Sequence, residues 1–330
     1  MKLTKIIASV IAGSLCMSVF CCGCTNTKET DETEDTKPVV TELPEDEILI
    51  RTGHKNGAWG YSSFVTYVLS DGSVYSSGEY FEGYYNYGKH ALTDEDRVAL
   101  LQKYTKPRGY IDENQLLKIY QNVMQIDTDA EFVYEDMYAC DAGTGFVEAN
   151  IDGEWICISE SGDRTGALDD RHARKADALI DGAFSTADLT ESAAVYSGYE
   201  TFLETFECPN ARLDNARRLI TSIEELRQFE KDTGIKLSEM EDFEIFADPD
   251  YDVYYAVCLA VEIIECDEYL SFDEVSADAF IVSEDYTGFA YVEDPQIDIS
   301  DDTVAQKTYC HVVAVPSYDL SSYDPFLHHV

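Results

Sequence analysis

Positive charge is what this chain has least of. Against 65 Asp and Glu it carries only 23 Lys and Arg and 6 His, a formal net charge of −42 over 330 residues. Such a surface repels a nucleic-acid duplex and an anionic bilayer, so nucleic acid is excluded as an expected partner. A solvated, soluble exterior accounts for the carboxylates without any bound cation. Motifs of nucleotide and hydrolase chemistry are missing as well. There is no G-x-S-x-G, no H-E-x-x-H, no Gly-Lys-Thr phosphate loop and no dinucleotide fingerprint. No zinc-type C-x-x-C pair follows Cys24, so neither a metal nor a cofactor is expected.

Two apparent metal motifs fail on inspection. Asp248, Asp250 and Asp252 begin like a calcium loop, but position six is Val253 instead of Gly and position twelve is Leu259 instead of Glu. His328 and His329 are two ligands on a terminal tail, too few to hold an ion well. With 65 carboxylates, a glycosidase-like pair could be drawn almost anywhere, so none is singled out and no catalytic residue is assigned.

Long apolar runs are also rare, and the one that exists is at the start. Lys2 and Lys5 precede Ile6 to Phe20, and small residues follow. This charged-then-apolar order is an export pattern. The stretch resembles a bacterial lipoprotein signal peptide, in which a small residue precedes a cysteine that is lipidated and becomes the mature N-terminus. Gly23-Cys24 fits that junction, so residues 1–23 are read as the signal and Cys24 as the lipidation site. An uncleaved anchor over Ile6 to Cys24 is the alternative. Both readings put everything after Thr25 on the extracytoplasmic face of the cell membrane, because the lysines stay inside. The membrane is thus a partner through the N-terminal lipid. Loss of Lys2 and Lys5 with the signal, and of no carboxylate, makes the mature chain two charges more negative still.

Six cysteines remain after Cys24: Cys140, Cys157, Cys208, Cys258, Cys266 and Cys310. An even number in an exported protein permits up to three disulfides. Cys258, Cys266 and Cys310, however, lie in apolar strand patterns where a thiol serves as a small hydrophobe.

Residues 24–47 are rich in Thr, Glu and Asp with two prolines and read as a disordered tether. The rest is expected to be α+β: two domains, 48–184 and 210–330, each an antiparallel sheet with a few covering helices, joined by a connection over 185–209. In the first domain, Tyr61 to Leu69 and Ser73 to Tyr80 flank Ser70-Asp71-Gly72, a hairpin signal in which both central residues are expected at positive φ. Helices are predicted to start at Thr93 and Asp112, and a third to run from Asp170 to Ile180 until Gly182 stops it. Asp152-Gly153 marks a second hairpin. The connection has a short helical look around Tyr199 to Phe206. In the second domain, Ser222 to Glu225 is a capping box, Gly234 ends its helix, and strands are predicted at 255–266, 275–283, 289–292 and 308–315, all in one sheet.

Two features could carry binding. The run EYFEGYYNYGKH (79–90) sets Tyr80, Tyr84, Tyr85 and Tyr87 among glycines, and Trp59 lies in a flexible approach to the hairpin. Tyrosine on a hinged loop offers a flat apolar face with a hydroxyl, suited to a sugar ring or peptide. The plain alternative is that these rings pack the hairpin onto the helices. Cys310-His311 looks like a nucleophile beside a base, but consecutive strand residues point to opposite faces, so no dyad is expected. His172, in a helix with Arg171, Arg174 and Lys175, has cations for neighbours, which disfavour its charged form.

From Leu219 onward, "LITSIEELRQFEKDTGIKL", "VYYAVCLAVEII", "SADAFIV" and "TYCHVVAVP" follow one another. This helix-then-strands order resembles the C-terminal domain of the protease-complex subunit PrcB family, over about a third of the chain. The resemblance implies a non-catalytic accessory domain that binds or stabilises an extracellular protein such as a protease. The sequence therefore points to a surface lipoprotein with a binding or accessory role. A carboxylate-based envelope hydrolase and a glycan- or solute-binding lipoprotein are the alternatives.

Overall fold

A computed structural model describes residues 40–56, 61–81, 92–190, 192–197, 203–209, 211, 217–240, 257–267, 275–283, 285–293 and 306–316. Among these residues it is an α+β protein of fifteen strands, four α-helices and one 3₁₀ turn, with two antiparallel-rich sheets.

The first long stretch of sheet comes from β1 (Ile48–Asn56), β2 (Tyr61–Leu69) and β3 (Ser73–Phe81). The β2–β3 turn closes with Gly72 N donating to Leu69 O at 2.9 Å, and Asp71 Oδ1 accepts from Ser73 N at 2.8 Å. Only Gly72 has positive φ here (84°), so the loop has three residues with one left-handed glycine instead of the two positive-φ residues expected. The Asp152-Gly153 turn between β6 (Thr144–Ile151) and β7 (Glu154–Gly162) does have both, at 55° and 87°.

The helices begin where their caps predict. Thr93 accepts from Asp96 N ahead of α1 (Asp94–Tyr104), and Asp112 accepts from Asn114 N and Gln115 N ahead of α2 (Glu113–Val123). α3 is longer than expected, Arg171–Thr186, and runs straight through Gly182. Its buried stripe of Ala173, Ala176, Ile180 and Ala183 continues past the glycine, and packing outweighs the roughly 1 kcal/mol propensity cost. Ser222 caps α4 (Ile223–Thr233), and Gly234 ends it at φ 82°.

The connection read as partly helical instead contributes two strands, β9 (Ala193–Ser197) and β10 (Leu203–Glu207). β9 alternates: Val195 enters the core under α1 and Tyr196 the core on the opposite side. β9 pairs in parallel with β3 and antiparallel with β13 (Ala279–Val282), which pairs with β14 (Thr287–Ala290). The segment 279–290, expected in the second domain's sheet, thus lies in the first sheet. Phe280 on one face and Ile281 on the other are both fully buried, because this end of the sheet is covered on both faces. The eleven-stranded sheet has the order β14-β13-β9-β3-β2-β1-β6-β7-β8-β5, where β8 is Arg164–Leu168 and β5 is Phe132–Tyr138, with β4 (Gly109–Tyr110) paired to β3 off this path. The four-stranded sheet is β10-β15-β12-β11, with β11 Arg217–Ile220, β12 Val257–Asp267 and β15 Gln306–Pro316. Residues 37–330 form one compact unit, so the strands of the two expected domains are interleaved.

Val40 to Glu47, read as the end of the tether, lies against this unit. Leu43 packs on the core, Val40 O accepts from Gln121 Nε2 at 2.9 Å, and Ser70 N donates to Glu47 O at 2.9 Å.

The first face of the long sheet carries α2 and α3, through Val74, Val68, Ile50 and Ala149 against Leu116, Ile119, Ala173 and Ala176. At the β9-β13-β14 end of the same face, Tyr196, Phe280 and Phe289 meet Cys258, Ala260, Val313 and Val315 of the four-stranded sheet. The second face carries α1, whose Val98 and Leu101 pack on Tyr67 and Val195. Arg51 fastens the start of α1 by pairing with both Asp94 and Glu148, while Tyr67 OH donates to Asp94 Oδ1 at 2.7 Å.

Two glycines should respond oppositely to alanine. At Gly72 the φ is positive and an added Cβ would lie 2.5 Å from Ile111 O, so Gly72→Ala is expected to cost about 2 kcal/mol or more in urea unfolding. At Gly182 nothing lies within 4 Å, so Gly182→Ala is expected to stabilise by about 0.5–1 kcal/mol.

Candidate ligand-binding groove

Antiparallel register turns the first face into a ladder of cross-strand rows. The row Val74, Val68, Ile50, Ala149 and Ile156 is apolar and belongs to the core that α2 and α3 cover. One step along the strands, Ser76, Thr66, Thr52, Val147 and Ser159 form a row dominated by hydroxyls. Thr66 and Ser76 satisfy each other at 2.7 Å, and Ser159 donates to Asp177 Oδ1 of α3 at 2.9 Å. The next row is Gly78, Phe64, His54, Gly145 and Ser161. It lies beyond the helices and is uncovered among the described residues.

These last two rows floor a groove of about 280 Å³ lined by Thr52, His54, Phe64, Val147, Ser159 and Ser161. Its shape follows from the small residues. A Cβ on Gly145 would lie 2.6 Å from Ser161 Oγ, and one on Gly78 would lie 3.3 Å from the Phe64 ring. The missing side chains leave Phe64 36 % exposed on an otherwise polar strip. His54 is fixed by Nε2 against Ala142 O at 2.9 Å. Burial pushes the Asp177 carboxyl up, against the opposing effect of its Ser159 hydrogen bond. The groove lining thus includes the Phe64 and Phe146 side chains, several hydroxyls, an imidazole and the Glu160 carboxylate, which are groups for holding a polar ligand.

The expected binding residues fall unevenly. Tyr80 lies on β3, paired in register with Ser62, which pairs with Asn56, in the row next to Phe64 and His54. Trp59, Tyr84, Tyr85, Tyr87 and the lipidation candidate Cys24 lie outside the described residues, as do the Asp248 to Asp252 and His328-His329 motifs. Phe64 was not singled out by sequence. Its signal is that it shares strand parity with Thr66 and Ser62, an aromatic on the polar side of YSSFVTYVL.

The Cys310-His311 pair diverges as strand geometry requires. Cys310 joins the core beneath α4, with Phe229 and Leu226, and burial pushes its thiol well up. His311 faces the long sheet, fully buried, with Nδ1 2.8 Å from Thr205 Oγ1 and Nε2 2.9 Å from Tyr291 OH. Beside it, in register, Glu262 is held by Arg217 at 2.7 Å. None of the six described cysteines is bridged to another. Burial raises Cys157 and Cys208 to about 12 each, which keeps them protonated and poor nucleophiles. His172 Nε2 accepts from Arg171 Nε at 3.1 Å. Among the described residues no group of three metal-ligating side chains clusters, and no helix is long and apolar enough to cross a membrane.

Burial lowers the His311 pKa from 6.5 to about 4. Above pH 6.5 the ring is neutral folded and unfolded alike. Between pH 6.5 and 4 only the unfolded chain takes up the proton, so stability falls with pH, by about 3 kcal/mol once pH 4 is reached. Urea unfolding at pH 7 and pH 4.5 is expected to show this loss in the wild type and a smaller loss in His311→Gln.

Comparison with protein-family models, with curated proteins and with solved structures finds no match.

Proposed function

We propose that this chain is an exported lipoprotein, anchored through Cys24 on the extracytoplasmic face of the cell membrane, with a non-catalytic binding or accessory role toward an extracellular protein. The observation that carries the binding part is the row Gly78, Phe64, His54, Gly145 and Ser161, which no described residues cover while neighbouring stretches of the same face are packed. A shallow strip with one exposed ring and several hydroxyls suits an extended polypeptide segment, which a protease or another envelope protein can present. The leader and the resemblance of the C-terminal third to the PrcB family supply the location and the accessory role.

A glycan is the second reading. It is favoured by the exposed Phe64 ring sharing the groove with Thr52, Ser159 and Ser161, a set of groups that accepts the apolar face of a sugar while bonding its hydroxyls. The hydrolase reading has less to stand on. The two carboxyls that burial pushes up, Asp177 and Glu262, are on α3 and β12, each already engaged, by Ser159 and by Arg217. Neither faces the other across a cleft.

Two measurements follow. Cys24→Ala is expected to move the protein from the detergent-extracted membrane fraction to the soluble one; retention in the membrane would count against lipid anchoring. Chemical crosslinking on intact cells is expected to recover one stoichiometric protein partner, and Phe64→Asp to reduce that recovery about tenfold or more. Equal recovery with Phe64→Asp would remove the groove from the account, and a saturable glycan titration without a protein partner would favour the second reading.

A further inference from the structure

The outer edge of β3 is shared by two short neighbours. β4 pairs with Ser73 and Val74, and β9 with Ser77 and Gly78. Tyr75 and Ser76 lie between them, and a cleft of about 160 Å³ opens at this gap. Arg108 stands in it. Its backbone is fixed on both sides, N donating to Val74 O at 2.8 Å and O accepting from Thr190 N at 2.9 Å. Its side chain gives Nε to Thr190 O at 2.6 Å and Nη1 to Ser76 Oγ at 2.7 Å, with the guanidinium 5.9 Å from the Phe64 ring centre.

Every partner of this guanidinium among the described residues is neutral. Arg51, Arg217 and Arg218, which are also part-buried, each hold a carboxylate. Arg108, part-buried beside a cleft, has no acidic partner among the described residues. Burial works against its charge, and a guanidinium has about five N–H donors, of which two are used here. The remaining donors have the fork geometry that matches a carboxylate. Thr105, Ser192 and Ser283 add hydroxyl-bearing side chains to the cleft wall, and the Lys106–Asp285 pair closes one side.

We propose that this cleft binds a carboxylate, with Arg108 as the anion-binding residue. Its volume is below the roughly 300 Å³ of a typical small-molecule pocket, which suits a small organic acid or one carboxylate end of a larger molecule. A singly charged group fits better than a phosphate dianion, since Asp285 is in the wall and the whole chain carries −42.

The test uses the full chain labelled with ¹⁵N, and propionate as probe, titrated against chloride at constant ionic strength. The Arg108 Nε signal and the Ser192 and Ser283 amide signals are expected to shift saturably with propionate. Arg108→Lys should weaken the response at least about tenfold, read at the two serines. Because Arg108 also holds the β3 edge, Ser192→Glu is the second variant: it leaves that edge intact and places a carboxylate in the cleft, so propionate binding should vanish. A linear response equal to that of chloride, saturation unchanged in Ser192→Glu, or tighter saturation by inorganic phosphate would each overturn the proposal. The cleft adjoins the groove at the Phe64 ring, but its proposal does not rest on groove binding. Ser161→Trp, which fills the far end of the groove, should leave the propionate titration as it is, while a failed cleft leaves groove binding to be measured on its own.

Discussion

Register across five strands is the constraint on which the rest depends. Pairing Phe64 with Gly78 on one side and with His54 on the other puts both on the face that also carries Val68, Val74 and Ile50. A slip of one residue in β2 would exchange the faces: Phe64 and Val68 would turn toward α1, and Val65 and Tyr67 toward α2 and α3. The core positions Val68 and Tyr67, each almost wholly buried on its own side, make such a slip costly. The same packing that stabilises the sheet therefore fixes where Phe64 emerges. The second constraint is coverage. Helices lie on one stretch of this face and the four-stranded sheet on another, and the open strip is what neither covers.

Local features were readable from sequence because their causes are local. Thr93, Asp112 and Ser222 cap helices through atoms two or three residues away, and Asp152-Gly153 and Gly234 adopt the left-handed conformations their turns need. What was not readable depends on distant partners. Nothing near Ala279 to Val282 says that it pairs with Ala194 to Ser197, more than eighty residues earlier, instead of with β12. The strands β9 and β10 are five residues each, too short to show a period against a polar background. Gly182 read as a stop because glycine usually is one; the alanine stripe on both sides of it decided otherwise. Of the expected binding residues, Tyr80 alone falls on a described strand. Phe64, His54 and Arg108 become a group only once three separate segments are folded together.

Electrostatics divides the molecule in the same way. Most of the described acidic residues are exposed or partly exposed and add mainly to net charge. Where charge is buried, it is paired, as Arg51 is with Asp94 and Glu148, and Glu262 with Arg217. Between the two sheets His311 rests between Thr205 and Tyr291, with the Glu262–Arg217 ion pair beside it, and burial holds both the imidazole and the Tyr291 phenol in their uncharged forms. That cluster has the character of a structural joint, closed to solvent and costly to ionise. Arg108 departs from both patterns, being part-buried, charged and without a carboxylate among the described residues.

The functional account reduces to the claim that one stretch of a sheet face is left open while the rows beside it are sealed. Hydroxyl-radical footprinting of the native chain, read residue by residue by mass spectrometry, tests this most directly. The account predicts ready oxidation of Phe64 and His54, with Val68, Val74 and Ile50 on the same strands protected. Protection of Phe64 equal to that of Val68 would contradict it.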